Sequence, residues 1–418
     1  MINYGQKRHS QTTETTMTSL AGFLASIAGD DLLLEIFTRL PNSRTVCHCT
    51  AVCRRWRSVI SHPQFVSMFK RHHQKRQQSP PPFTLLLRDG YVKRIPFPPT
   101  LNQLSFGEFF SEESKKLHGP NRSSCKAKYL DFLPQDSVVR ASCNDLLLVE
   151  LAAAKRLCVC NPLTHQWAML PKPPVFDSHA YALACDPSCT ERSYRVTLII
   201  TSPWRTIRVA VFRSEAGRWD ESVRTFSLDG ALPRLPMAVG TSDGVIYAPL
   251  VASHGWFFTK IAAFDPFDAN PTGLSCREVG LPDSLRRGWR GSPRRTRIGV
   301  VRGQLRLWQS YLDKRMSKFV FRAYGLDKKY DNWVSLHDFE FEAGDGSKFT
   351  AASAVVALHP DDDDVFFFKY DGPQIWQYRI GTGRGEDIIG EIDKLVRTTE
   401  VVYTVVHQSW PTSIPQLH

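Results

Sequence analysis

The sequence predicts a multidomain α+β protein, in which a small bundle of three short helices precedes a much longer, mostly-β domain. Helical periodicity of apolar residues is confined to the front of the chain and ends near Pro63. The whole chain of 418 residues contains 27 prolines, 25 glycines, 25 Phe, 12 Tyr and 10 Trp. This composition is typical of short, aromatic-rich strands joined by many turns.

The first predicted helix begins at Asp30 and Asp31, whose carboxylates can accept hydrogen bonds from free backbone N–H groups. Apolar residues then recur at steps of three and four, which is the spacing of one helical face. They are Leu32, Leu33, Ile36, Phe37 and Leu40. Pro41 ends the helix, because its ring cannot continue the hydrogen-bond ladder.

Two further helices are predicted before Pro63. Ser43 is a candidate N-cap for the second, which carries Val46. The third should be stopped by Pro63. Its inward residues are predicted to be Val52, Cys53, Trp56, Val59 and Ile60, and its outward residues Arg54, Arg55 and Arg57. A core this small contributes only a few kcal/mol at roughly 25 cal/mol per Å², so the bundle should need a partner or a supporting domain.

A group of short predicted strands recurs five times in the long domain. Its equivalent points are Cys160, Phe212, Phe264, Tyr324 and Tyr378, which follow one another at steps of 52, 52, 60 and 54 residues. A period near fifty with three or four strands per unit predicts a β-propeller, and kelch blades have about this length. Strands within residues 83–133 could form a sixth blade, closed by residues 400–406. We therefore predict about six kelch-like blades.

The composition divides the chain into five segments. We predict a disordered tail over residues 1–22, the helical module over 23–69, a basic Pro- and Gln-rich linker over 70–82, the propeller over 83–408 and a tail over 409–418. At the start of the propeller, residues 83–87 are predicted to be a strand with residues 91–95 as a possible hairpin partner. Residues 105–117 are expected to form a short helix or an irregular loop.

The order of residues in the helical module resembles a known family. Asp30-Asp31-Leu32-Leu33-Leu34-Glu35-Ile36-Phe37 leads to Leu40-Pro41, Val52-Cys53-Arg54-Arg55-Trp56-Arg57 follows, and Pro63-Gln64-Phe65 closes the pattern. This is similar to the F-box, the adaptor-binding module of SCF-type ubiquitin ligases. Ala28-Gly29 stands where the motif usually begins with Leu-Pro. The whole architecture resembles plant F-box proteins with an associated kelch-like propeller.

The resemblance implies a non-catalytic subunit of a ubiquitin ligase in ubiquitin-dependent protein degradation. Its F-box would bind a Skp-type adaptor and, through it, a cullin, while the propeller would bind an unknown protein substrate. The residues at the motif's adaptor-binding positions are Leu32, Leu33, Ile36, Leu40, Pro41, Val52 and Trp56. Trp56 could equally be internal core of the bundle.

Substrate specificity in a propeller lies on the loops at one face. The candidate segments are residues 171–179, 202–206, 252–256 and 285–297. Within them the candidate contact residues are Trp204, Arg205, Trp256, Trp289 and Arg290.

A net charge of +12 leaves a second interpretation open, in which a basic propeller binds RNA or an acidic partner outside any ligase. The basic residues crowd two stretches. They are Arg286, Arg287, Arg290, Arg294, Arg295, Arg297 and Arg302 in one, and Lys70, Arg71, Lys75 and Arg76 in the other. No aromatic or groove-reading motif accompanies them, so both stretches are interpreted as solvated and nucleic acid is not the expected partner.

No motif points to an enzyme or a metal site. Cys47-x-Cys49 with His48 and Cys53 lacks the spacing of a zinc finger. The run from Asp361 to Asp364 lacks the alternation and glycine of a calcium loop and is interpreted as an acidic turn. An enzyme on a kelch-like scaffold, in the manner of galactose oxidase, would need a copper cluster of His, Tyr and Cys that the sequence does not show. We predict no catalytic residues, no metal and no cofactor.

The sequence also predicts the compartment. The N-terminal residues lack the apolar core of a secretory signal, and no stretch approaches about eighteen uncharged apolar residues. We therefore expect a protein of the cytoplasm, the nucleus or both, without a membrane partner. Its ten cysteines are expected to be reduced.

Overall fold

The structure is a computed structural model, and it divides the chain into two compact units, Met1–Ser79 and Pro80–His418. It describes residues 30–41, 43–74, 83–89, 106–110, 130, 132–134, 137–174, 180–186, 193–202, 206–220, 224–227, 231–232, 239–241, 243–252, 258–268, 276–287, 296–313, 318–327, 329, 332–342, 354–369, 375–382, 384–386, 399–408 and 410–414. The predicted tail of residues 1–22 and the candidate hairpin strand of residues 91–95 lie outside these residues.

The first unit consists of helices. They are α1 (Asp30–Arg39), α2 (Ser43–Cys49), α3 (Arg54–Ser61) and α4 (Pro63–Gln74). Helix α1 carries Asp30 and Asp31 in its first turn and ends just before Pro41, as its sequence predicts. The core is formed by Leu33 and Phe37 of α1 with Val46, Ile60 and residues of α4.

The prediction of three helices was one helix short, because Pro63 begins a helix instead of stopping one. Proline is well suited to a first helical position, where its missing N–H would have no intrahelical partner. Phe65 and Phe69 of α4 are each 1% exposed and contact one another with tilted rings, whose centroids lie 6.0 Å apart. Their burial holds the helix to Gln74, past residue 70, where we predicted the linker to begin.

The second unit is a mostly-β propeller, and its described strands form six antiparallel sheets. We number these sheets as blades 1 to 6. Blade 1 contains β1 (Phe83–Asp89), β2 (Phe106–Phe110) and β25 (Thr399–Val406). Blade 2 contains β3 (Ser137–Cys143), β4 (Leu146–Leu151), β5 (Arg156–Asn161) and β6 (Gln166–Met169). Blade 3 contains β7 (Ala180–Cys185), β8 (Tyr194–Ser202), β9 (Thr206–Arg213), β10 (Arg218–Trp219) and β11 (Arg224–Ser227).

The remaining three blades follow in chain order. Blade 4 contains β12 (Ala231–Leu232), β13 (Val239–Gly240), β14 (Ile246–Ala252), β15 (Phe258–Phe264) and β16 (Cys276–Gly280). Blade 5 contains β17 (Thr296–Val301), β18 (Gln304–Asp313), β19 (Lys318–Asp327) and β20 (Asn332–Glu342). Blade 6 contains β21 (Ala354–His359), β22 (Asp362–Lys369), β23 (Ile375–Arg379) and β24 (Arg384–Glu386). A short helix, α5 (Asp283–Arg287), follows blade 4.

The inner strands of the blades form a closed ring. Strands β25, β3, β7, β13, β17 and β21 contact one another in this order, and β21 contacts β25 again. The ring closes in blade 1, where β25 from the end of the chain pairs with β1, Leu86 lying opposite Tyr403. The prediction of about six blades closed by the last strand is confirmed. The kelch-like type stays a prediction.

The equivalent points of the predicted repeat occupy equivalent strands of the blades. Cys160, Phe212, Phe264, Tyr324 and Tyr378 all lie in the strand at the third position from the ring axis, on β5, β9, β15, β19 and β23. Of the inner strands, β25 was predicted from residues 400–406, whereas β3, β7, β13, β17 and β21 were not. In β7, for example, the sequence AYALAC lies buried or half-buried throughout, so that it lacks the alternation of apolar and polar residues that marks a strand with one solvent face.

Two other strand predictions were wrong. Residues 105–117 were expected to form a short helix or an irregular loop, but Phe106–Phe110 is strand β2, which pairs with β1. Asp361 to Asp364 was interpreted as one acidic turn, but strand β22 already begins at Asp362. Arg379 pairs with Asp362 at 2.9 Å and Arg306 pairs with Asp363 at 2.7 Å, so these carboxylates are neutralised by basic groups within the propeller.

The inner strands all finish at the same end of the ring, which we call the turn end. The backbone N–H of Val406, the last residue of β25, donates to the carbonyl of Asn144, directly after β3, at 2.8 Å. The N–H of Arg302, directly after β17, likewise donates to the carbonyl of Pro360, directly after β21, at 2.7 Å. Because neighbouring strands of a blade are antiparallel, connections from first to second and from third to fourth strands lie at the turn end.

Candidate functional site

The apolar residues of helix α1 include a buried pair and an exposed pair. Leu33 and Phe37 are 4% and 1% exposed, whereas Leu32 and Ile36 are 53% and 47% exposed. Residues four apart in sequence lie on the same face of a helix, so Leu33 and Phe37 form the buried face and Leu32 and Ile36 an adjacent, exposed face. The buried pair therefore fixes the direction in which the exposed pair projects.

Val52 adds a third exposed apolar side chain to the helical unit. It is 63% exposed and lies in the turn between α2 and α3. The Arg55 guanidinium on α3 pairs with the Asp30 carboxylate at the start of α1, with 3.1 Å between Nε and Oδ1. Leu32 and Val52 each lie within three residues of this ion pair along the chain. We call Leu32, Ile36 and Val52 the exposed apolar patch.

The turn before α3 differs from its prediction. Val52 and Cys53 were predicted to face inward, but both are exposed. Cys53 is the N-cap of α3, and its Sγ accepts a hydrogen bond from the backbone N–H of Trp56 at 3.4 Å. A residue before the first helical turn does not follow the helical periodicity that we extended to it.

The predicted adaptor-binding residues separate into surface and core. Leu32, Ile36, Pro41 and Val52 are exposed, and Leu40 is half-buried. Leu33 is buried, so we no longer expect it to contact a partner directly. Trp56 is half-buried, and its ring meets Phe37 edge-on with centroids 5.0 Å apart and an interplanar angle of 73°. This contact makes Trp56 a support for α1.

Two core residues of this unit were missing from the predicted site. Phe65 meets Phe37 edge-on at 6.3 Å, and Phe69 stacks on His73 at 4.1 Å. The nitrogen Nε2 of His73 in turn lies 3.2 Å from the carbonyl oxygen of Thr38 on α1. The spacing Phe65, Phe69, His73 is a repeat of four that the sequence already contained, but we assigned its second half to a linker.

Charged side chains lie beside Leu32 and Ile36 of the exposed apolar patch. Asp31, Glu35 and Arg39 border a shallow depression that Leu32 and Ile36 also line. Glu35 pairs with Arg39 one turn later. An apolar centre with a charged rim has the composition of a protein–protein interface.

The cysteines near α2 and α3 do not assemble a metal site within the part of the chain that the structure describes. No group of three His, Cys, Asp or Glu side chains there could hold a metal ion. Burial raises the pKa of the Cys49 thiol. A protonated thiol is a poor ligand for zinc, which binds the thiolate.

The predicted substrate-contact residues, Trp204, Arg205, Trp256, Trp289 and Arg290, lie outside the described residues. The strand ends that their segments join are described. Residues 171–179 lead from β6 to β7, residues 202–206 from β8 to β9, and residues 252–256 from β14 to β15. Residues 285–297 lead from blade 4 into β17. All these strand ends lie opposite the turn end, because each segment precedes a first or a third strand.

A cavity lies inside the ring. It has a volume of about 280 Å³ and is lined by residues of the inner strands and of the turns that follow them, including Asn144, Thr241, Arg302, Thr404 and Gln408. The Nε of Arg302 donates to the carbonyl of Asp361 at 3.0 Å, so this cation joins the turns of blades 5 and 6.

Among the helices that the structure describes, none is long and apolar enough to span a bilayer.

Comparison with known proteins identifies the helical unit. Residues 30–68 match the F-box-like family model. The chain is 25% identical over 260 residues to the putative F-box protein At5g52610 of Arabidopsis thaliana. This match covers 59% of this chain and 63% of the relative. It is 25% identical over 160 residues to the putative F-box protein At1g30930 of the same plant, covering 38% of this chain and 39% of the relative. The chain thus spans less than two thirds of either relative.

Solved structures similar to the chain include the β-propeller domain of Cps50 (Swd1) from Myceliophteria thermophila. The identity is 11%, the TM-score is 0.35, and the match covers 62% of this chain and 86% of the other. The family match and the strand topology together show an F-box-like domain in the first unit, followed by a β-propeller.

Proposed function

We propose that this chain is the substrate-recognition subunit of an SCF-type ubiquitin ligase. The F-box-like domain binds a Skp-type adaptor and, through it, a cullin, and the propeller binds the target protein. The chain catalyses nothing itself and works in the cytoplasm, the nucleus or both. The observation that supports this proposal most directly is the exposed apolar patch of Leu32, Ile36 and Val52 on the F-box-like domain.

The patch is suited to binding because its residues contribute little to the fold of the free domain. A large apolar side chain left about half exposed forgoes stabilisation of roughly 25 cal/mol for each Å² that burial would remove from water. A partner that covers Leu32 and Ile36 recovers this free energy. The core contacts of Leu33 and Phe37 hold α1 in place beforehand, which limits the entropy lost on binding.

The target is proposed to bind at the end of the propeller opposite the turn end. The four segments that we predicted from the sequence join strand ends on that side. Trp204, Arg205, Trp256, Trp289 and Arg290 remain candidate contact residues. Tryptophan and arginine are the residue types that most often dominate binding energy at interfaces.

Co-purification tests the adaptor half of the proposal. The full chain should capture a Skp-type adaptor and a cullin, and a chain lacking residues 1–78 should capture neither. Within the full chain, Ile36→Ala should weaken adaptor binding by about tenfold or more, since it removes a central apolar anchor. Ser58→Ala, at an exposed position of α3, is the matched control and should bind like the wild type.

A folding control separates loss of contact from loss of structure. Ile36→Ala should keep the helical circular dichroism and the melting temperature, because Ile36 lies at the surface, whereas Leu33→Ala should lower both. Unchanged adaptor capture by Leu32→Ala/Ile36→Ala would refute the proposed contact. If the intact chain captures no adaptor at all, the interpretation as a basic binding protein takes its place, and steep salt dependence of RNA binding would identify it.

A further inference from the structure

A buried carboxylate lies where residues 410–414 meet blade 2 at the turn end. Asp145 has no exposed surface, and Thr412 is 3% exposed. The Thr412 backbone N–H donates to Oδ2 of Asp145 at 2.6 Å, and its hydroxyl donates to Oδ1 at 2.7 Å. A buried carboxylate needs such donors, because water cannot reach it.

Asn161 completes this arrangement from the other turn of the same blade. Its side-chain amide donates to Oδ2 of Asp145 at 2.8 Å and to the carbonyl of Thr412 at 2.9 Å. Its own Oδ1 accepts the backbone N–H of Leu163 at 2.9 Å, which fixes the amide orientation. The first and third turns of blade 2 therefore present a preformed set of polar groups that matches both the backbone and the hydroxyl of Thr412.

An apolar contact lies two residues further along the segment. Ile414 is 6% exposed and belongs to the apolar cluster that blades 2 and 3 share, together with Leu146, Leu170, Tyr194 and Trp219. Ser413, between the two anchors, is exposed. Pro411 is buried as well, so Ser413 is the exposed residue of a run that is otherwise buried from 411 to 414, as expected of a segment held in a groove.

The segment continues the strand that closes the ring. Strand β25 pairs with β1 in blade 1, and directly after it the His407 Nε2 lies 3.0 Å from the Thr84 hydroxyl of β1. Thr412 then attaches to blade 2, and Ile414 to the junction of blades 2 and 3. The last described residues thus cross from the closing blade to the neighbouring blade 2 and on to the junction of blades 2 and 3.

We propose that residues 410–414 are a clasp that locks the propeller closed. Blade 1 is the only described blade built from the two ends of the unit, so opening of the ring there requires β25 to leave β1. The clasp opposes this step, because release of Thr412 removes two hydrogen-bond donors from the buried Asp145 carboxylate. The site on blades 2 and 3 is a docking groove for an extended Thr-x-Ile segment, which this chain supplies itself.

Substitution in the full chain tests the polar anchor. Thr412→Val keeps the shape of the side chain and removes the hydroxyl, and it should lower the melting temperature by about 2–4 °C. Hydrogen exchange of the β25 amides should become faster, while that of β14 and β15 should not change. Ser413→Ala, one residue away and exposed, is the matched control and should melt like the wild type. Equal melting of Thr412→Val and wild type would overturn the clasp.

Binding of the segment as a separate peptide tests whether the groove on blades 2 and 3 recognises it. A chain that ends at Gln408 should melt at a lower temperature than one that ends at Ile414. A peptide of residues 409–414 should restore the melting temperature of the shorter chain, and the same peptide carrying Thr412→Val should not. A shorter chain that fails to fold supports the clasp if the chain ending at Ile414 folds. Identical melting of the two chains, or equal rescue by both peptides, would count against it.

Discussion

The indole N–H of Trp333, on the outer strand of blade 5, donates a hydrogen bond to the carbonyl of Gly280, at the end of the outer strand of blade 4, at 2.6 Å. Trp219 on β10 repeats this relationship one pair of blades earlier, donating to the carbonyl of Pro171 just after β6 at 2.9 Å. Neighbouring blades are thus joined at their outer strands as well as along the inner ring.

The two tryptophans should therefore stabilise the propeller through these bonds. Trp219→Phe and Trp333→Phe each remove the donor and leave a carbonyl without it, so each should lower the free energy of unfolding by about 1–2 kcal/mol. Trp167→Phe is the control, since Trp167 occupies an outer strand but is 37% exposed. Chemical denaturation would check the three variants. Equal stability of Trp333→Phe and Trp167→Phe would show that the bond contributes nothing.

Gly240 should tolerate no larger residue. A Cβ at this position of β13 would lie 2.5 Å from the carbonyl oxygen of Leu183 and 3.2 Å from the Cα of Ala184, both backbone atoms of β7. Gly240→Ala should thus push two inner strands apart and cost about 1–3 kcal/mol. At Gly381 a Cβ would meet nothing within 4 Å, so Gly381→Ala should stay within about 0.5 kcal/mol of the wild type. Urea titration of both variants decides the point.

The Asp362 carboxylate should make the stability of the propeller sensitive to acid. Burial by itself raises its pKa, but the Asp364 backbone N–H and the Arg379 guanidinium outweigh burial and lower the pKa below its ordinary value. A group whose pKa is lowered by folding stabilises the fold above its unfolded pKa of about 3.9. This stabilisation is lost as the pH falls below that value.

The variant Arg379→Gln should reveal this dependence of stability on pH. The variant should be less stable than the wild type at pH 6, and the difference should shrink as the pH falls, because protonation of Asp362 removes the charge that Arg379 attracts. Melting temperatures measured from pH 3 to pH 7 provide the comparison. A difference that stays constant over the whole range would rule out the carboxylate as its origin.

The described cysteines should differ widely in reactivity. Cys53 is exposed, whereas Cys158 and Cys160 have no exposed surface, and burial raises the pKa of the Cys158 thiol to about 12. Since the thiolate is the reactive form, an aromatic disulfide reagent at pH 8 should modify Cys53 in the native protein and reach Cys158 only after unfolding. Peptide mapping identifies the modified residues. Modification of Cys158 in the native state would mean that blade 2 opens readily.

Much of the helical unit and the repeat was determined by the sequence alone. Asp30 and Pro41 bound α1 through local chemistry, a carboxylate near free N–H groups and a ring that cannot continue the helix. The third strands, beginning with those of Cys160 and Phe212, repeat at intervals of 52 to 60 residues because each blade meets its neighbours in the same way. Signals of this kind act over a few residues or recur along the chain, so they can be recognised in the sequence without knowledge of the fold.

Only the tertiary structure decided which apolar residues are buried and where distant segments meet. Leu32 and Leu33 are adjacent and chemically identical, yet one is exposed and the other forms core, because α3 and α4 cover one side of α1. Pro63 and the residues after it continue as a helix because Phe65 and Phe69 find Phe37. The contact of Thr412 with Asp145 spans 267 residues of chain, and no local pattern predicts a bond that exists only once the ring has closed.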